Sequence, residues 1–210
     1  MTTLRPMRSQ AGYTLAEMLV TSAVIALVMA GLLTLIQTGS QTWVVGANRS
    51  EAQQNARLVV QRLANEIRGG GWDPRNTQSF AAIQALAPPQ TGFTISNDWN
   101  ADSLIQTNVL VAVSGTNRGE QITYDFVSGN LRRQESMVDA SPVTLTEVSS
   151  ITFTYRNADD VEVTNAHVAA NALNIRTVEI TVVTAPDNQA TSNAQKVSVT
   201  STIRARVRNR

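Results

Sequence analysis

Apolar residues are spread unevenly along the chain, and two periodicities follow one another. From Met18 to Ile36 the sequence reads MLVTSAVIALVMAGLLTLI, nineteen residues without a charge, and no charge recurs before Arg49. A helix of about 20 such residues crosses the ~30 Å hydrocarbon layer of a bilayer, so this stretch is predicted to span a membrane. Further on, Ala56, Val60, Leu63 and Ile67 recur at i, i+4, i+7 and i+11, one apolar stripe on a helix whose polar sides carry Arg57, Arg62, Glu66 and Arg68. Gly69-Gly70-Gly71 and then Pro74 end it. Joined, the two patterns predict one helix from about Thr14 to Arg68, roughly 80 Å long at 1.5 Å per residue. Its first half suits a bilayer and its second a globular domain. Gly31, Gly39 and Gly46 each weaken it by up to about 1 kcal/mol relative to Ala, so bending is expected there. Small residues at those places also permit close helix approach.

Residues 72–107 are expected to be irregular, with an apolar patch at Ile83–Leu86, Pro88-Pro89, an Asn/Asp-rich run near Trp99 and at most one short helix. Strand patterns dominate afterwards. Asn108–Val113 reads as a short buried strand. Ile122–Val127 and Leu131–Glu135 flank Ser128-Gly129-Asn130 and read as a hairpin. Val148–Arg156 places Ile151, Phe153 and Tyr155 on one face. Ile175–Val183 and Lys196–Val207 are long β-rich runs separated by a polar loop. The expected class is α+β: a long amino-terminal helix whose second half packs on a carboxy-terminal antiparallel sheet.

The 210 residues suffice for one core, and only 16% are charged against roughly 25% in soluble domains, as a chain with one uncharged segment requires. Seventeen basic and sixteen acidic side chains leave +1, so no whole-chain field draws in nucleic acid or anionic lipid. With no cysteine, disulfides and thiolate metal sites are excluded. His167 is the only histidine; it stands among small residues and reads as an ordinary loop side chain. No G-x-S-x-G, H-E-x-x-H or Walker A pattern is present, and the three glycines follow a helix where a phosphate loop follows a strand. An enzyme is not expected, and no cofactor is implied.

The amino terminus carries Arg5 and Arg8 with no acid before Glu17, so the positive-inside bias keeps that end cytoplasmic and sends the rest outward. Three readings of the segment compete. A Sec signal peptide would be cut near Val28-Met29-Ala30 and release a soluble periplasmic chain. A permanent signal anchor would hold a periplasmic domain. The third accounts for Glu17, an acid at the margin of an uncharged span, where ionisable groups usually have a partner.

Gly12-Tyr13-Thr14-Leu15-Ala16-Glu17-Met18-Leu19 resembles the cleavage and methylation motif of type IV prepilins, normally Gly followed by Phe-Thr-Leu-Ile-Glu, with Tyr13 for Phe and Ala16 for Ile. The resemblance implies a leader of residues 1–12 cut off by prepilin peptidase after Gly12, N-methylation of Tyr13, a helix over 13–68 with 13–36 in membrane or fibre core, and a mainly β domain over 69–210. It implies insertion in the bacterial inner membrane with one crossing, then the pilus, periplasm or cell surface, with other major and minor pilins as partners. Scattered likenesses, Glu66-Ile67-Arg68-Gly69-Gly70-Gly71-Trp72 and Leu131-Arg132-Arg133 among them, are similar to PilW-like minor pilins and to type II secretion pseudopilin J.

Cleavage after Gly12 creates an α-amine, of ordinary pKa about 8 and thus mostly cationic, four positions before Glu17. In a helix bundle the carboxylate of one subunit meets the amine of the next, which pairs each charge and favours an axial stagger. Alternatively Glu17 pairs with its own amine or favours its own helix N-terminus.

Two further groupings stand out. Arg204, Arg206, Arg208 and Arg210 alternate on one face of the last strand and would either grip DNA phosphates, as a DNA-binding tip subunit of a competence pilus requires, or pair with acids on neighbouring strands. Asp159, Asp160 and Glu162 form an oxygen-rich turn, a candidate for Ca²⁺ without the EF-hand spacing, against a plain solvated hairpin loop.

Overall fold

A computed structural model describes residues 12–185 and 198–207. One helix, α1 (Leu15–Gly69), covers 55 residues, and the chain divides into two compact units, Met1–Gly46 and Ala47–Arg210.

In the first unit every described residue up to Val44 is exposed, with Leu27 77% and Leu35 70% open. No described residue covers this apolar surface, and the helix is long and apolar enough to cross a membrane. Its threonines need no water. Thr34, Thr38 and Thr42 each donate a hydroxyl to the carbonyl one turn back, at 3.0, 2.9 and 2.9 Å, as expected of hydroxyls on a helix in an apolar setting.

The second unit begins with the periodic half of α1, where Ala52, Ala56, Val59, Val60, Leu63, Ala64 and Ile67 are buried. The stripe read from spacing is thus the inward face, and Leu63 and Ile67 are fully covered. The helix stops where the glycines stand: Gly71 has φ +76°, and its N–H donates to the Ser96 carbonyl at 3.0 Å.

Two antiparallel sheets complete the core. The larger has the order β1-β2-β5-β6-β7, from β1 (Ile83–Ala85), β2 (Gly92–Ser96), β5 (Gln121–Val127), β6 (Asn130–Glu135) and β7 (Val143–Glu147). The smaller is β10-β9-β8, from β8 (Ser150–Arg156), β9 (Thr177–Thr184) and β10 (Val199–Arg206). A separate hairpin pairs β3 (Leu110–Val113) with β4 (Thr116–Gly119), and a single turn of helix, α2 (Ala169–Ala172), precedes β9. Phe93 of β2 stacks on Tyr124 of β5 at 5.4 Å and meets Phe153 of β8 edge-on at 5.1 Å, so aromatic packing joins the sheets. The Tyr155 hydroxyl donates toward the Pro89 and Gly92 carbonyls at 3.0 and 2.7 Å across the same junction. Gly92 admits no side chain, because a Cβ there would lie 2.2 Å from the Tyr124 carbonyl oxygen.

Segment 72–107 differs from its expected irregularity. It holds β1, a 3₁₀ turn (Pro89–Thr91) and β2, and the apolar patch at Ile83 is strand rather than helix. Backbone pairing to β5 overrides a local pattern that Pro88-Pro89 interrupts. The loop that follows is held by buried carboxylates: Asp98 accepts from the Asp102 and Ser103 N–H groups at 3.1 and 2.9 Å, and Glu120 from Gln106 N–H at 2.9 Å. Strands β4 and β7 are additions to the expected set. Strands β3, β5, β6, β8 and β9 begin within about two residues of their predicted starts, while the predicted start of β10 at Lys196 lies outside the described residues. β3 is not buried as expected: no residue of it is buried, and Leu110 is exposed.

Candidate functional site at the helix amino terminus

Thr14 is the last residue before α1, and the first helical hydrogen bond runs from Met18 N–H to its carbonyl at 3.2 Å. Its hydroxyl accepts from Glu17 N–H at 3.3 Å. In return Glu17 Oε2 accepts from the Thr14 N–H at 2.9 Å and from the Thr14 hydroxyl at 3.1 Å. This is a capping box, Thr-x-x-Glu, in which residues at the cap and three positions on satisfy each other's otherwise unpaired N–H groups. The signature was visible in the Thr14–Glu17 spacing, but the sequence reading assigned Glu17 only to charge. Oε1 has no partner among the described residues, so one oxygen of the carboxylate is uncommitted.

The Gly12–Tyr13 bond lies just outside this box. A Cβ on Gly12 would meet nothing within 4 Å, and Tyr13 is 85% exposed. The backbone at this bond is open, and the bond takes no part in the Thr14–Glu17 hydrogen bonds. The arrangement presents an accessible peptide bond, a capped helix start and an uncovered apolar helix, in that order along the chain.

The alternating arginines divide. Arg204 and Arg206 are on the exposed face of β10, with Ala205 and Val207 buried opposite, while Arg208 and Arg210 lie outside the described residues. Arg204 donates to Glu179 of β9 at 2.9 Å and to Asp160 at 3.1 Å, and Asp160 first and Glu179 second push its pKa above the ordinary value. Arg156 of β8 joins the same group through Glu179 at 3.3 Å. Two guanidiniums and two carboxylates thus offset one another on this face. Arg206 makes no ion pair among the described residues.

Of the acidic turn, Asp160 (φ +61°) is engaged by Arg204 and Arg156, the Asp159 N–H donates to the Asn157 side chain at 2.9 Å, and Glu162 forms a backbone bridge with Arg156. Among the described residues no group of three or more His, Cys, Asp or Glu side chains is placed to hold a metal ion. His167 is half-buried; its carbonyl accepts from Gln84 Nε2 at 2.7 Å, and its Nδ1 has no partner among the described residues.

Residues 7–33 match the family model described as the prokaryotic N-terminal methylation motif. The match spans the Gly12–Tyr13 bond, the capping box and most of the apolar helix, and it supports a type IV pilin-like protein. Beyond it, no curated protein and no solved structure matches the chain. The motif points to a structural subunit of pilin or pseudopilin type, with a long apolar amino-terminal helix that fits membrane anchoring before assembly.

Proposed function

We propose that the chain is a minor type IV pilin, a structural subunit that helps to start or cap a fibre and has no catalytic role. It would enter the inner membrane through residues 18–36 with its β domain outside the cytoplasm. Prepilin peptidase would cut after Gly12, and the amine of Tyr13 would be methylated, which retains its positive charge. The apolar helix then leaves the bilayer for a bundle of like helices, where Glu17 meets the amine of a neighbouring subunit.

One observation carries this reading. The helical segment that carries the matched motif is uncovered by any described residue, while the second unit has a closed core of its own. A surface of this kind must be covered by lipid or by other helices. The uncommitted Glu17 oxygen supports the same view, because a carboxylate withdrawn from water needs every available donor.

Mass spectrometry of the product purified from its native host tests it. The expected first residue is N-methylated Tyr13, with Met18–Ile36 retained, and Gly12→Val should leave the leader attached. A product beginning near Gly31 would replace the reading with a secreted, signal-peptide-cleaved protein.

A further inference from the structure

The outward face of the larger sheet carries an unusual row. Register places Gln84 of β1 opposite Thr94 of β2, Thr94 opposite Thr123 of β5, and Thr123 opposite Gln134 of β6. Four uncharged polar side chains therefore cross four strands in a line. Three strand spacings of ~4.8 Å make it about 14 Å long. Ser96 and Gln121 form a second, parallel rung.

Two open cavities of about 280 and 290 Å³ lie along these rungs and share Gln121. One is lined by Thr123, Gln134, Ser136 and Met137, the other by Gln84 and Ser96 with Phe80, Ile105 and Leu173. No charged side chain lines either. On the same face of β5 and β6, Asp125 and Arg132 are paired with each other. The Gln121 carboxamide, at the join of the two cavities, makes no hydrogen bond among the described residues.

We infer that this face is a binding site for a neutral polyhydroxylated chain, a short stretch of uncharged glycan. A carboxamide donates and accepts at once, as a sugar hydroxyl does. The Thr94 and Thr123 hydroxyls bond each other at 3.1 Å, Gln84 Nε2 donates to the His167 carbonyl at 2.7 Å and Gln134 Nε2 to the Asp139 carbonyl at 3.5 Å, so the Gln121 carboxamide and the side-chain oxygens of Gln84 and Gln134 are the groups left for a ligand. Phe80, Ile105, Leu173 and Met137 offer apolar surface to the C–H faces of the rings. Together the cavities have the volume usual for small-ligand sites, with convergent polar groups among apolar walls. Anionic chains find no cation here. An extended peptide would need the unpaired backbone of a sheet edge, whereas this is a face whose strands are paired on both sides at β2 and β5. The inference is independent of fibre assembly, since the whole site lies in the second unit.

The test uses the full chain in a zwitterionic detergent free of sugar. Cellohexaose, chitohexaose and maltohexaose are titrated by calorimetry and by NMR of the side-chain amides, beside a heparin oligosaccharide and a single-stranded oligothymidylate. At least one neutral hexaose should bind saturably, with an affinity indifferent to salt and with the Gln121 amide signals shifted. Gln121→Ala and Gln134→Ala should each weaken it by about tenfold or more, because the site's remaining polar groups lose a partner, while Arg204→Ala should not. Binding by none of the neutral hexaoses, binding only by the anionic probes, or unchanged affinity in both glutamine variants with native circular dichroism would each overturn the inference.

Discussion

At Glu17 two demands fall on one carboxylate. It caps its own helix through the Thr14 N–H, and the proposed assembly asks it to meet a neighbour's amine. Glutamine separates the two, since it can complete a capping box without bearing charge. Glu17→Gln should retain processing and helix start yet enter fibres far less than the wild type, measured as the fraction of subunit recovered in sheared fibres. Wild-type recovery for Glu17→Gln would assign the residue to capping alone. Thr14→Val should instead loosen the first turn by about 1 kcal/mol, seen as faster amide exchange there. At Glu135, 4% exposed, burial pushes the carboxyl pKa up, but the Arg133 and Arg118 guanidiniums and the Gly119 N–H outweigh it and hold the pKa below the ordinary value. A group whose folded pKa is depressed stabilises fully above its unfolded value, about 4.3, and loses that contribution as pH falls through the folded value. Glu135→Gln should therefore be less stable at neutral pH by about 1.5–3 kcal/mol. Its stability should also fall less than the wild type's when the solution is acidified below about pH 5. Parallel pH curves for the two proteins would contradict this.

Along α1 the same helix faces two different environments, and truncations should report the difference. Leu63 is fully buried, whereas Leu58, on another face of the same helix, is 66% exposed. Leu63→Ala should lower the stability of the second unit by about 2–5 kcal/mol, and Leu58→Ala should change it by no more than about 0.5 kcal/mol. Thermal unfolding followed by near-ultraviolet circular dichroism measures both. The stripe containing Leu63 was legible because helical spacing directly encodes a buried face. Strands β5, β6, β8, β9 and β10 were legible for the same reason at period two. By contrast, β1 and β2 are three and five residues long; β1 pairs only with β2, and β2 is fixed by β5, from Ser96 opposite Gln121 to Gly92 opposite Asp125, so no local pattern reveals them. β4 is polar throughout its Thr116-Asn117-Arg118 run and is a strand only by virtue of its hairpin with β3. Nothing in the local pattern marks Asp98 and Glu120 for burial, which depends on backbone N–H groups that only the folded loop supplies. The Gln84–Thr94–Thr123–Gln134 row was hidden likewise, because its register joins strands that are not consecutive. At the amino terminus the methylation motif and the apolar helix were legible because each is contiguous, and the Thr14–Glu17 cap, equally contiguous, was passed over in favour of charge.

Viewed as a whole, the chain is stable in one unit and unfinished in the other, and the glycines of α1 show what completion requires. A Cβ on Gly31, Gly39 or Gly46 would meet nothing within 4 Å, so the isolated chain has no steric need for glycine at any of them. Alanine there should strengthen the helix by up to about 1 kcal/mol, since glycine has the greater backbone entropy to lose. The fibre imposes the opposite preference if helices approach closely at these positions, because each added methyl pushes two backbones apart. Gly39→Ala should thus move two measurements in opposite directions. Amide exchange around residue 39 of the detergent-solubilised chain should slow, and recovery of the variant in fibres should fall. A variant that gains helix stability and assembles as well as the wild type would show that the neighbouring helices do not meet at this glycine, and would shift the burden of packing to the apolar residues of 18–36.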